Sequence, residues 1–415
     1  MRVIHYDPQN RTESTAYSEL LARIDTWWET FEKDKEKILA SLHREVDVSY
    51  NKWLADWMER NFQAIHPALM YEFAIHGKGH RLVITPEMNT HLRPLVDLLF
   101  QRRPTLDGWE FYAYRPLESV EMARLTVEGR TRGNIEGCLV SAAMGQFRRI
   151  NLTFFSPHYS KLNERELQTA SFIATESLLG EEWLDKWCGA IETVPFTQAS
   201  LLNELYGAQN TGMVGKVGGR LLPPRPFPLD RLAPTCDALI ASNRERLPNR
   251  PYADIVRDSS RSHTVLEISF DDPNGKVPWG DMYTVVTSDV PLWEATHSGI
   301  PFYSCRFSRF NETFAFLKIE GLYDSEVRGE IEDAINEALT SSNLGGVIGG
   351  GAGSSFSYID LALTDVRKAA VAMFAKLRER KLPRRTWLLF FDQHLLAEWI
   401  GLYSETPPPP HIANE

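Results

Sequence analysis

The chain reads as an α+β protein built from two ferredoxin-like, two-layer sandwich domains behind an N-terminal helical segment. Two observations lead there. Short apolar runs that alternate with period two recur between amphipathic stretches of helical period, and this rhythm occurs twice, once on each side of a proline-rich stretch. The implied division is 1–62 helical, 63–195 a first α+β domain, 196–261 a connector, 262–405 a second α+β domain and 406–415 a mobile tail.

From Ser14 to Asn61 there is neither proline nor glycine, and Leu20, Ile24, Trp27, Trp28 and Phe31 recur at helical spacing, which predicts one long or two shorter amphipathic helices. "LMYEFAIHGKGHRLVIT" reads as a hairpin. "HLRPLVDLLFQRR" has helical spacing, and "GWEFYAYRP" and "RRINLTFFSP" are strand-like. "NERELQTASFIATESLLG" is a helix that ends at Gly180 in the left-handed conformation, with "CGAIETVP" as the strand that follows. The connector holds Pro223, Pro224, Pro226, Pro228 and Pro234 and is expected to be extended.

In the second half, "HTVLEISF" places Thr264, Leu266, Ile268 and Phe270 on one face, with His263, Val265, Glu267 and Ser269 on the other. "ETFAFLKIEG" is a strand. "SEVRGEIEDAINEAL" is a helix capped by Asp324 or Ser325, with Ile331, Ala334, Ile335, Ala338 and Leu339 on its inner face. "FSYIDLAL" is a strand, "DVRKAAVAMFAKLRERK" a helix and "RRTWLLFF" a strand whose two faces are both apolar. That last feature predicts that another domain or subunit covers the second face, hence a homo-oligomer such as a homodimer.

Composition narrows the function. Among 415 residues the 45 basic ones are scattered and the net charge is −10, which disfavours direct nucleic-acid binding and suits a protein partner or a cationic ligand better. Cys138, Cys188, Cys236 and Cys305 lack metal or redox spacing and read as reduced, mostly buried thiols. No secretory signal and no apolar run of about 18 residues is present, so the reading is a cytoplasmic protein with no membrane contact.

Six of the nine residues from Gly345 to Gly353 are glycine. A phosphate loop needs Lys-Ser or Lys-Thr after the second glycine, and Gly351-Ala352 stands there; Gly215-Lys216 lacks the partner residues on both sides. A dinucleotide fingerprint leads into a helix, and this stretch leads into "FSYIDLAL". It therefore reads as a loop between strands, with contact to a ligand as the alternative. Beyond it, Tyr358 and Asp360 share a face, and Glu267 is expected to join them from a neighbouring strand. These are solvated or paired charges, or else a ligand patch. The candidate binding residues are Glu267, Gly349, Gly350, Gly351, Gly353, Tyr358 and Asp360.

Other constellations are weaker. His76 and His80 bracket a hairpin without a third ligand, "FDDPNGKVPWGD" departs from calcium-loop spacing, and Trp27-Trp28 with Trp53 and Trp57 suit a core or interface better than base stacking. No catalytic motif, metal site or cofactor is read from the sequence.

The stretches "GWEFYAYRP", "GGGAG", "SFSYIDLALTD", "PRRTWLLFFD" and "EWIGL" resemble those of a family of bacterial proteins with domains similar to the regulator of ribonuclease E activity B. The resemblance implies a ferredoxin-like fold and function by protein binding, and it assigns no site residue. The expected function is a cytoplasmic binding or regulatory protein acting by protein-protein interaction. The alternative is a small-molecule sensor or enzyme with its site beside the glycine-rich stretch.

Overall fold

A computed structural model describes residues 2–43, 48–76, 79–199, 216–217, 220–221, 224–256, 263–268 and 281–410. The chain divides into two compact units, one of Met1–Ala113 with Pro248–Glu415 and one of Tyr114–Leu247. Among the described residues no helix is long and apolar enough to cross a membrane.

The first unit opens with α1 (Arg11–His43) and α2 (Val48–Asn61), two helices where the absence of proline and glycine allows them. Strands β1 (Met70–His76) and β2 (Gly79–Thr85) pair as an antiparallel hairpin. After α3 (Arg93–Gln101), strand β3 (Trp109–Tyr112) joins β2 in parallel. The helical stripe of α1 is the core of this part. Trp27 lies 5.0 Å from the ring of Phe62, and Phe31 lies 4.9 Å from that of Trp109. The buried indole N–H groups find acceptors, Trp28 at the Leu99 carbonyl and Trp57 at Asp34. Strands from 70–112 thus bury their aromatic side chains against the opening helices, and for that reason they belong with them. The expected domain 63–195 is divided after Ala113.

The second unit contains α4 (Val120–Arg130), β4 (Leu139–Met144), β5 (Ile150–Ser156), α5 (Glu164–Leu179), α6 (Glu181–Trp187) and β6 (Cys188–Pro195). Two further elements follow, β7 (Phe227–Pro228) and α7 (Leu232–Arg246), and the sheet order is β6-β5-β4-β7. A capping box starts α5, with Asn163 accepting from the Glu166 N–H and Glu166 accepting in return. Gly180 closes α5 at φ +83° and ψ 157°, a positive φ outside the left-handed helical region that was expected.

The described part of the proline-rich stretch is no connector. Phe227 pairs with Val140, Leu229, Leu232 and Cys236 enter the core, and Pro234 sits in the first turn of α7, where its missing N–H costs nothing. Its earlier residues, 200–215 among them, lie outside the described residues.

The first unit resumes with α8 (Tyr252–Val256), β8 (Thr264–Glu267), β9 (Met282–Thr287) and α9 (Val290–His297). There follow β10 (Thr313–Glu320), α10 (Ser325–Thr340), β11 (Gly345–Gly353), β12 (Phe356–Leu363), α11 (Val366–Glu379), β13 (Thr386–Phe390) and β14 (Ile400–Gly401). Among the described residues the sheet has seven strands in the order β8-β9-β11-β12-β10-β13-β14. From β10 to β13 the elements run βαββαβ, all paired strands being antiparallel.

Helices α10 and α11 cover one face, where Leu317, Ile359, Leu361 and Leu388 meet Ile335 and Met373. Asp324 caps α10 by accepting from the Val327 N–H.

The sheet's second face is covered from within the same unit. Phe391 packs 4.8 Å from Phe316 and 6.2 Å from Phe302, and Trp387 donates its indole N–H to the Pro407 carbonyl at 2.6 Å. The second face of "RRTWLLFF" is therefore covered without the separate domain or subunit that was expected, and the strand lends no support to self-association. The tail is likewise anchored where it begins, since Thr406 is buried and accepts from the Tyr403 N–H; residues 411–415 lie outside the described residues.

Candidate functional site

The glycine-rich stretch is not a loop. It is the central strand β11, hydrogen-bonded to β9 on one side and β12 on the other. Glycine is needed here for close backbone approach: a Cβ at Gly349 would lie 2.8 Å from the Val286 carbonyl oxygen, and Gly345 has φ +134°. Gly350 turns toward Glu332 of α10, and Gly353 lies against the Asp281 carboxylate. These positions are occupied by the fold and offer no phosphate cradle.

Register separates the three expected side chains. Asp360 stands opposite Gly349, and Gly349 opposite Thr287. Glu267 stands opposite Thr284, Thr284 opposite Ala352 and Ala352 opposite Ser357, which puts Glu267 on the other face of the sheet from Tyr358 and Asp360. Glu267 is exposed at the edge and does not join them. Tyr358 is buried and donates its hydroxyl to Asp281, whose carboxylate also accepts from the Ser355 and Phe356 N–H groups. Burial and this bond raise the phenol well above its usual range. Beside it, the Lys318 ammonium lies 4.3 Å over the Phe356 ring, and burial lowers its pKa.

Asp360 is the unusual member. It is 8 % exposed, its Oδ1 has no hydrogen-bond partner, and it faces a void of about 10 Å³ lined by Thr287, Trp293, Thr296 and Phe391. The Trp293 indole N–H in the same lining is also unpartnered. Burial, reinforced by Glu332, pushes the Asp360 carboxyl up to about 7. A void of this size admits a single water molecule at most.

Elsewhere in the unit, the segment 2–9, helix α11 and the chain after β13 enclose a cleft of about 640 Å³, within the range of small-ligand sites. The sequence reading did not point to it. Its wall is a single stripe of α11: Arg367, Ala370, Val371, Phe374 and Arg378 fall on one helical face. The opposite wall is held in place by Glu398, a buried carboxylate that accepts from three successive N–H groups, Val3 at 2.6 Å, Ile4 at 3.1 Å and His5 at 2.8 Å. Arg2 is fixed too, paired with Glu13 at 2.5 Å and lying 3.6 Å over the Trp399 ring.

The charges on α11 are treated in two ways. Lys368 pairs with Asp365 at 2.9 Å and Lys376 with Glu337 at 4.0 Å, both away from the cleft. Arg367 and Arg378 have no carboxylate partner among the described residues. Arg367 donates one N–H to the Ile4 carbonyl, and Arg378 donates its Nε–H to the Leu402 carbonyl at 2.7 Å. Each guanidinium keeps further donors facing the cleft. Between them Val371 is 74 % exposed. Asp7 and Glu405 also line the cleft, against Arg2, Arg367 and Arg378. His5 lies deep in it, stacked on Phe390 at 5.0 Å; burial, with Arg367 and Arg2 adding to it, pushes its pKa down to about 3, so the ring is neutral.

The signal for this site was present in "DVRKAAVAMFAKLRERK" as a stripe with basic ends and an apolar middle. What hid it was the net charge of −10, which favoured a cationic ligand although a ligand meets only the local field. Three of the four cysteines are buried, with their thiols pushed up by burial, while Cys305 is exposed. Among the described residues no group of three or more His, Cys, Asp or Glu forms a metal centre. The hairpin around His76 and His80 is confirmed in its strands; the calcium-like stretch, apart from Asp281, and Gly215 lie outside the described residues.

Compared with known protein families, with curated proteins and with solved structures, the chain matches none.

Proposed function

We propose that the protein is a non-catalytic binding protein and that it takes an anionic ligand into the cleft beside α11. The observation that carries this is the pair Arg367 and Arg378, two guanidinium groups without carboxylate partners facing a cleft of about 640 Å³. A charged group left unpaired at a surface is ordinary, but two on one stripe, flanked by cations that are paired, make a recognition surface for negative charge. The neutral His5 ring adds a hydrogen-bonding group at the floor. Chemistry beside the glycine-rich strand is not proposed, because the void at Asp360 has no room for a substrate.

The βαββαβ run with strand order β11-β12-β10-β13 supports reading this part as a ferredoxin-like unit, the fold that the resemblance to the ribonuclease regulator implied. That resemblance also agrees with a binding role. Calorimetric titration with citrate, phosphate and acidic peptides tests the proposal, with a lysine-rich peptide as control. Binding of at least one anion, lost in the double variant Arg367→Gln with Arg378→Gln, is expected. Failure of every anion to bind, or undiminished binding by the double variant, refutes it.

A further inference from the structure

The spacing of the two arginines constrains the shape of the ligand. Arg367 and Arg378 are eleven residues apart on one helix, so their Cα atoms lie about 16 Å apart at about 1.5 Å of rise per residue. Each is steered toward its own end of the cleft by its carbonyl, Ile4 for Arg367 and Leu402 for Arg378. The wall between them is apolar, with Val371 presented to the cleft and Ala370 and Phe374 behind it. A compact anion reaches one guanidinium and leaves the other, with the apolar middle, uncovered.

We infer that the cleft takes an extended peptide segment of a partner protein, with an acidic side chain at each end and apolar residues between. This deepens the anion-binding reading and rests on it. An extended chain advances about 3.3 Å per residue with side chains alternating between faces, so a separation of about 16 Å with both acids on one face corresponds to acidic residues about four or six positions apart, within the reach of the long arginine side chains. The acidic ends would accept from Arg367 and Arg378, bidentate where the geometry allows, while the middle covers Val371. Charge complementarity selects this occupant: the cations that a second acidic residue needs are at the far end of the stripe, and nothing in the stripe between them is polar.

The test is fluorescence anisotropy with labelled, capped peptides carrying an acidic residue at each end and about three or about five apolar residues between. Replacing either acid with its amide is expected to weaken binding about tenfold. Arg367→Gln should abolish sensitivity to one end of the peptide and Arg378→Gln to the other, a coupling that general loosening would not produce. Because each arginine also holds a backbone carbonyl, Val371→Glu serves as the variant that breaks no such bond. It is expected to abolish peptide binding while the melting temperature stays unchanged. Equal binding by peptides with one acid or two, or citrate competing as well as the peptide, overturns this inference and leaves anion binding standing. Binding of neither citrate nor any acidic peptide overturns both.

Discussion

The void at Asp360 and the cleft beside α11 handle charge in opposite ways. At Asp360 a carboxyl is enclosed without a hydrogen-bond donor for Oδ1, and the fold responds by keeping the group protonated to about pH 7. In the cleft, Arg367 and Arg378 stay at the solvent boundary, where a guanidinium remains charged and keeps spare donors. A displaced pKa occurs in both regions, at Asp360 in the void and at His5 in the cleft, so what separates them is room: one is a closed void of about 10 Å³ and the other a cleft of about 640 Å³. Displaced ionisation alone therefore does not distinguish a closed void from an open cleft in this protein.

The contrast is tested most strongly at Asp360. Its carboxyl has a folded-state pKa above the ordinary 3.8, so its contribution to stability is fully present below pH 3.8. That contribution is lost as pH rises through about 7, since the unfolded chain ionises first. A shift of this size corresponds to a change on the order of 4 kcal/mol. His5 and His297, pushed down to about 3 and about 4, chiefly by burial, impose the opposite slope, losing stability as pH falls below 6.5. The informative quantity is the difference between the parent and Asp360→Asn. Urea unfolding at pH 5 and pH 8 should show the variant gaining stability relative to the parent at the higher pH. An unchanged difference across that range would show that Asp360 is not the buried acid described here.

Next in size is the strand that positions Asp360. Gly349→Val would force a Cβ to within 2.8 Å of the Val286 carbonyl oxygen, and a loss of about 3 kcal/mol is expected. Chemical denaturation measures it, and a stable variant would mean that β9 and β11 can separate at little cost. In the cleft the expectation is reversed. The double variant Arg367→Gln with Arg378→Gln should melt within a few degrees of the parent, because exposed charges contribute little to folding, about 1 kcal/mol or less. A large drop would make these arginines structural. The smallest effect belongs to Glu267→Ala, expected to change stability by less than about 0.5 kcal/mol and anion binding not at all, since Glu267 is exposed at the sheet edge and does not line the cleft.

Local elements were legible where one rule governs them. The stripe of Leu20, Ile24, Trp27, Trp28 and Phe31 became the buried side of α1, and Asp324 became the cap of α10. The α+β class followed from the two periodicities. The glycine-rich stretch was misread because glycine density signals freedom in an isolated chain. Here β9 and β12 supply hydrogen bonds on both sides and hold it extended. The proline-rich stretch was misread in the same way, since Pro228 ends a sheet strand and Pro234 opens a helix.

The sequence by itself determined which side chains face inward on elements with a clear period, such as α1 and α10, because periodicity is a local property of the backbone. It determined that Tyr358 and Asp360 share a face, while the stripe of Arg367 and Arg378 lay unread in the helix of "DVRKAAVAMFAKLRERK". Only the tertiary structure decided which of these faces would be enclosed. Trp293 and Phe391 closed over Asp360, and Tyr358 was buried with its hydroxyl on Asp281. The segment 2–9, held by Glu398 from nearly four hundred residues along the chain, completed a cleft over the arginine stripe. Such contacts between sequence-distant residues leave no periodic trace, and so the residues of one face were visible in advance while the site they form was not.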